Sequence, residues 1–236
     1  MIEIRFPDQS VRTYKKGATP LEIAQSISEG LARNVLSASF NGATVEATTP
    51  LEIDGSLQLF TWNDDEGKAA FWHSSAHILA QSLLALYPKA KLTIGPAIEN
   101  GFYYDVDFGE DSFSDKDLPA LEKQFLAFAR EKFAFSMRSS SKADALAFYK
   151  AENNPYKVEL IENLEDGSIS FCDHADFTDL CRGGHIPHTG FVKAIKLLSV
   201  AGAYWRGDET KPQLTRIYGI SFPKQKELTE YLALLE

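Results

Sequence analysis

Between Ala69 and Leu86 the apolar residues recur at helical spacing. Trp72, Ala76, Leu79, Leu83 and Leu86 stand at i, i+4, i+7, i+11 and i+14, a core-facing stripe on a helix that Pro88 closes. This is the strongest periodic signal in the chain, and the fold has to be built around it. Within it, "HSSAHILA" (73–80) places His73 and His77 one residue round from the stripe, at its rim. Side chains four apart lie one above the other on a helix, so the two rings can face a common target. In "CRGGH" (181–185), Cys181 and His185 again stand four apart. Gly183 and Gly184 allow a tight bend that turns both the same way.

The segment before this helix follows a different period. "IEIRF" and "VRTY" alternate as half-buried strands about the turn "PDQS". "TPLE" (19–22) starts a helix, with Thr19 as cap, Pro20 at the first position and Glu22 completing a capping box; Gly30 is expected to end it. "VLSASFNG" and "SLQLFTW" read as further strands. Two strands, a helix and more strands predict a small β-grasp (ubiquitin-like) domain over residues 1–62, with "NDDEG" (63–67) as the junction. Residues 63–236 are expected to form a larger mixed α/β domain, so the fold class is α+β. In it, 117–133 is an amphipathic helix with Leu121, Phe125 and Phe128 inward, "DALAFY" a short helix, and "GPAIENGFYYDVDF" a loop feeding a strand. "GSISFC", "KLLSVAGAYW" and "LTRIYGISF" are strands, and "KELTEYLALLE" is a helix still running at the last residue.

Composition narrows the function classes. The 236 residues are 44% hydrophobic and 24% charged, with no signal peptide and no apolar run long enough to span a bilayer. Only Cys172 and Cys181 occur, which argues against a disulfide framework and for a cytoplasmic location. A net charge of −9 argues against coating nucleic acid by charge alone. The charge is uneven, however. Acidic residues crowd 97–118, whereas Lys193, Lys196, Arg206, Lys211, Arg216 and Lys224 crowd 191–224, a local contact for a short piece of nucleic acid or a solvated face.

The two histidine pairs admit three readings. They are structural residues, with rim histidines and an inert buried thiol. They are a zinc site, for which cysteine and histidine are good ligands. Or they perform metal-free acid/base chemistry on water in a cleft. The zincin motif is excluded, because position 74 is Ser where a general-base Glu is required.

"HSSAHILA", "GPAIENGFYYD", "PYKVEL", "DLCRGGH" and "AGAYWRGDETKPQLTRIYG" together resemble the editing domain of bacterial threonyl-tRNA synthetases, related to the second additional domain of alanyl-tRNA synthetases. Residues 1–62 resemble the TGS domain that precedes it. The resemblance implies hydrolysis of the ester of mischarged Ser-tRNA(Thr) while Thr-tRNA(Thr) is excluded, the proofreading step of a threonine-tRNA ligase. One methylene gives a binding site only about 1–3 kcal/mol of discrimination, which is why a second pocket is needed. It implies a cleft formed by His73, His77, Cys181 and His185 and lined by Lys157 and Asp179. His73 and His185 would position or polarise the water, Lys157 would stand near the ester or oxyanion, and Asp179 would hold the substrate ammonium. Cys181 would act through shape or a hydrogen bond. Tyr104 is the candidate contact for the terminal adenosine. Arg206 is the candidate phosphate contact, with a surface ion pair to Asp208 as the alternative.

By the same resemblance, no cofactor is required for editing, whereas the alanyl relatives carry zinc at the matching quartet. Zinc at His73, His77, Cys181 and His185 therefore stays open, as does a zinc-binding, partner-recruiting module without hydrolytic activity. The family often has Pro where this chain has Gly184. No stretch resembles the class II motifs that bind ATP. The expected partners are thus the seryl-bearing acceptor end of tRNA(Thr) and the catalytic and anticodon-binding domains of a longer chain, to which the C-terminal helix leads. No membrane is expected, this piece is expected to be a monomer, and the full enzyme a homodimer.

Overall fold

The alternation read in "IEIRF" builds the first strand of a computed structural model that describes residues 1–235. Contacts divide the chain into two compact units, residues 1–74 with 183–187, and 75–182 with 188 onward. The first opens with β1 (Ile2–Arg5), β2 (Val11–Tyr14), α1 (Pro20–Ile27), α2 (Glu29–Ala32), β3 (Ser37–Phe40), β4 (Ala43–Val45) and β5 (Gly55–Phe60). The sheet order is β2-β1-β5-β3-β4, with β1 and β5 parallel and the other pairs antiparallel. Ile2 and Ile4 turn inward and pack with Ile23, Ala38, Leu51 and Leu57, while Glu3 and Arg5 face out. This is the β-grasp arrangement.

α1 starts as its sequence requires. The Thr19 hydroxyl accepts from the Glu22 N–H at 3.2 Å, and the Glu22 carboxylate accepts from the Thr19 N–H at 2.8 Å. Its end differs from expectation. Gly30 lies inside α2, and Ser28 stops α1 by taking an extended backbone and capping Leu31 N at 3.0 Å. A side chain that satisfies the next turn's donor competes with continuing the helix.

The long helix α3 (Asp65–Leu86) begins four residues earlier than the apolar stripe suggests. Gly67 is part of it rather than of a junction. A Cβ there would sit 1.9 Å from the Thr61 carbonyl oxygen, so only glycine lets the first turn approach that backbone. From Ala70 to Leu83 every residue but His73 is buried, so α3 is enclosed all round rather than amphipathic. Leu86, expected at the end of the stripe, is exposed.

The second unit contains β6 (Lys91–Leu92), β7 (Ala97–Ile98), β8 (Gly101–Asp107), α4 (Leu118–Arg130), β9 (Ser136–Ser139), α5 (Lys142–Ala151), α6 (Pro155–Glu162), β10 (Ser170–His174), β11 (Phe177–Leu180), β12 (Ala194–Tyr204), β13 (Gln213–Phe222) and α7 (Gln225–Leu235). One antiparallel sheet has the order β12-β13-β8-β6, with β7 also on β8; a second has the order β11-β10-β9. Ala145 and Tyr149 of α5 and Ile161 of α6 pack with Ile169 and Phe171. Leu121 and Phe125 of α4 point inward as expected, but Ala129 rather than Phe128 continues that face. α6 was not expected; Asn154 caps it by accepting from Lys157 N at 3.1 Å, and Pro155 occupies the first position. The expectation that the last helix runs through Glu236 lies outside the described residues. Among those residues, no helix is long and apolar enough to cross a membrane.

Candidate functional site

In the first unit the histidine geometry is set by a bend and a serine. Gly183 and Gly184 have φ of +99° and +89°, left-handed conformations that make the tight bend expected of "CRGGH". Proline is locked near −65°, so the family's frequent residue at position 184 would need a different backbone path. His185 follows, fully buried, and its ring stacks on His73 with centroids 4.8 Å apart and planes at 29°. Its Nδ1 lies 2.6 Å from Oε1 of Glu46, just past the end of β4. Ser74 fastens the loop: its hydroxyl donates to the Ala70 carbonyl at 2.7 Å and accepts from the Ile186 N–H at 2.9 Å. Sequence reasoning singled out neither Glu46 nor Ser74. The available signals were an acid beside an apolar strand in "ATVEA" and a serine next to the first histidine.

In the second unit the organising group is the Asp179 carboxylate on β11. Lys157 Nζ, in the first turn of α6, lies 2.6 Å from Oδ1, and the Tyr149 hydroxyl donates to the same oxygen at 3.3 Å. The Tyr104 hydroxyl donates to Oδ2 at 3.0 Å, and His77 Nδ1 is 3.4 Å from that oxygen. Asp179 and Lys157 are each 3% exposed and His77 4%. Burial pushes the Asp179 carboxyl up, but the Lys157 ammonium and His77 more than reverse this and hold it well below the usual carboxylate range. Burial, then the Asp179 charge, drives the Tyr104 and Tyr149 hydroxyls well above their ordinary values, so both stay protonated donors. A cavity of about 560 Å³ reaches Lys157, Asp179 and Tyr149.

Tyr104, expected to meet an adenosine, is 1% exposed, and what it presents is a hydroxyl bound to Asp179. Cys181 comes directly after β11 as a buried thiol outside any disulfide, its N–H donating to the Ser170 carbonyl at 3.1 Å. Arg206 stands apart from this network. It has a left-handed φ of 55° in a turn after β12, and its guanidinium lies 3.2 Å from Glu159 and over the Trp205 ring. The ion-pair partner considered for it, Asp208, accepts instead from Thr210 at 2.7 Å. The basic stretch is also less bare than its composition suggests. Lys196 pairs with Glu122, Lys211 with Glu159, and Arg216 holds Asp105 of the acidic stretch through two bonds of 2.7 and 2.8 Å.

Three imidazoles and one thiol, from His73, His77, His185 and Cys181, are a donor set suited to zinc. In each unit one of these imidazoles also has a carboxylate at Nδ1: Glu46 for His185 and Asp179 for His77. Zinc-binding histidines commonly use their second nitrogen in this way, so the side chains in each unit are of the kind that zinc takes.

Comparison with known proteins gives the class first. Residues 2–61 match the TGS domain, and residues 169–218 match the threonyl and alanyl tRNA synthetase second additional domain. One segment of the chain thus resembles a TGS domain and folds as a β-grasp, and a second resembles part of the second additional domain. Over all 236 residues it is similar to the threonine–tRNA ligases of Flavobacterium johnsoniae (64% identical), Cytophaga hutchinsonii (58%) and Parabacteroides distasonis (53%). It spans 36%, 37% and 36% of their respective lengths.

Proposed function

We propose that the chain is the proofreading part of a threonine–tRNA ligase and hydrolyses the ester of Ser-tRNA(Thr) while leaving Thr-tRNA(Thr) intact. The observation that carries this reading is the buried Lys157–Asp179 pair beside His77. Ester hydrolysis requires an oriented water, a proton acceptor and positive charge at the developing oxyanion. Water attacks the seryl carbonyl carbon, positioned by His73 and His185, and a histidine accepts its proton. Lys157 faces the negative charge on the carbonyl oxygen. Collapse breaks the bond to the ribose oxygen, which leaves with a proton, releasing serine and tRNA. The acceptor positions of Asp179 are engaged by Lys157, Tyr149, Tyr104 and His77. The substrate ammonium therefore takes the place of the longest contact, His77, and frees that ring toward the water. Cys181 shapes the pocket so that serine enters and the threonine methyl clashes.

Arg206, exposed on its turn, exchanges Glu159 for a phosphate of the acceptor end, and Tyr104 holds Asp179 in register for the terminal nucleoside. In this reading the TGS domain ends at residue 62 and the editing domain follows. The catalytic and anticodon-binding domains, and the dimer they form, belong to the rest of a longer cytoplasmic enzyme. The test is deacylation of Ser-tRNA(Thr) and Thr-tRNA(Thr) with and without chelator, beside His73→Ala. Loss of serine alone, abolished by the variant and indifferent to chelator, is expected. Equal hydrolysis of both esters, or of neither, would sink the proposal.

The carboxylates at Nδ1 of His77 and His185 favour a second reading, in which His73, His77, Cys181 and His185 hold zinc. The ion would supply rigidity or a Lewis acid there. Stoichiometric metal that resists chelation would support it.

A further inference from the structure

We infer that Glu46, in the N-terminal β-grasp domain, is a positioning residue that fixes the His185 imidazole for hydrolysis, so that domain takes part in the chemistry rather than only recruiting a partner. The inference rests on the proofreading reading above. Its starting point is the 2.6 Å contact between Glu46 Oε1 and His185 Nδ1, formed across 139 residues of sequence. An ionised carboxylate only accepts hydrogen bonds, so Nδ1 carries the proton and Nε2 keeps the ring's lone pair. This is what a histidine must have to polarise water: a partner on one nitrogen that fixes the tautomer and aims the lone pair of the other.

The β-grasp fold holds Glu46 for that task. Val45, on one side, packs against the core of Ile2, Ile4, Ile23 and Leu57. Ala47, on the other, is fully buried with Ala24 and Val35, and its carbonyl accepts from Leu21 N at 2.8 Å. The Glu46 carbonyl closes a turn onto Thr49 N at 3.0 Å. The backbone is therefore anchored on both sides, and the carboxylate is 11% exposed against a fully enclosed ring. His185 is held from its other sides by the stacked His73 ring and by the Ser74–Ile186 bond beside it. Aim and tautomer of the ring are thus set together, the tautomer by Glu46.

The experiment compares wild type, Glu46→Ala and Glu46→Gln. It reads kcat and KM for Ser-tRNA(Thr), the ring ¹⁵N signals of His185, and thermal unfolding. Glu46→Ala should lower kcat by about 10- to 100-fold, as lost carboxylate partners of functional histidines do, with KM within about twofold. His185 should pass from the Nδ1–H tautomer to a mixture. Glu46→Gln, whose amide oxygen can still accept from Nδ1, should keep the tautomer and recover part of the rate. A folded Glu46→Ala with wild-type kcat, or an unchanged tautomer, would overturn the inference. Should Glu46→Ala fail to fold, a Glu46→Gln chain with a mixed tautomer would overturn it, and one that keeps the tautomer with a smaller loss of kcat supports it. The ring signals separate the two levels: a wild type inert toward Ser-tRNA(Thr) refutes the proofreading reading, while the tautomer in Glu46→Ala still decides the role of Glu46.

Discussion

The two units handle buried charge in opposite ways. In the first unit a single carboxylate, Glu46, meets a single imidazole nitrogen, and the other neighbour named for His185 is a stacked ring. In the second, one carboxylate, Asp179, gathers an ammonium, two phenols and an imidazole. The first arrangement orients one ring; the second keeps a carboxylate ionised against the upward pull of burial. Glu46 bears on one ring, whereas removing Asp179 unsettles four side chains at once.

The most damaging test of that contrast is Asp179→Asn. It leaves the Lys157 ammonium buried without its counter-charge, and the expected loss is about 3–5 kcal/mol in urea unfolding. The same variant should change the acid limb. Asp179 is held low in the folded chain and titrates near 4 when unfolded, so its stabilisation is complete above about pH 5 and drains as pH falls below the unfolded value toward the folded one. Wild-type stability should fall over that window and Asp179→Asn should be flatter; parallel slopes would refute the assignment. Next comes His73→Ala, expected to slow Ser-tRNA(Thr) deacylation by about 100-fold or more while unfolding shifts by about 1 kcal/mol. Gly184→Ala should cost about 1–2 kcal/mol from its left-handed backbone alone, because nothing lies within 4 Å of the added Cβ. Arg206→Ala should be smallest in stability, about 0–1 kcal/mol for an exposed ion pair, and should show itself as a salt-dependent rise in KM.

Local rules carried the sequence reading a long way. The capping box at Thr19, the bend at Gly183–Gly184 and the helical spacing of His73 and His77 are short-range features, and each is found in place. Gly30 misled because a serine two residues earlier offered the stronger stop. α6 escaped notice although Asn154-Pro155 is a helix start, because its apolar pattern covers only two turns. β6 has only two residues, and β9 (SMRS) and β11 (FTDL) show no sustained apolar–polar alternation; β6 and β9 exist through pairing with β8 and β10, and β11 closes a tight hairpin onto β10. Glu46 and Ser74 lie 139 and 112 residues from their partners, and no periodicity in one sequence encodes such a meeting. Tyr104 was singled out by type, but its burial and its bond to Asp179, 75 residues on, are tertiary.

The parallel pairing of β1 with β5 also sets a timetable. That pairing, Ile4 opposite Gly55, completes the first sheet, so the β-grasp fold can close once Phe60 has left the ribosome. Domains fold from the N-terminus during synthesis at about 5–20 residues per second, which puts His185 roughly 6 to 25 s behind. Glu46 and the five strands beside it are thus made well before its imidazole partner. The loop at 183–187 is the last piece of the first unit to be synthesised.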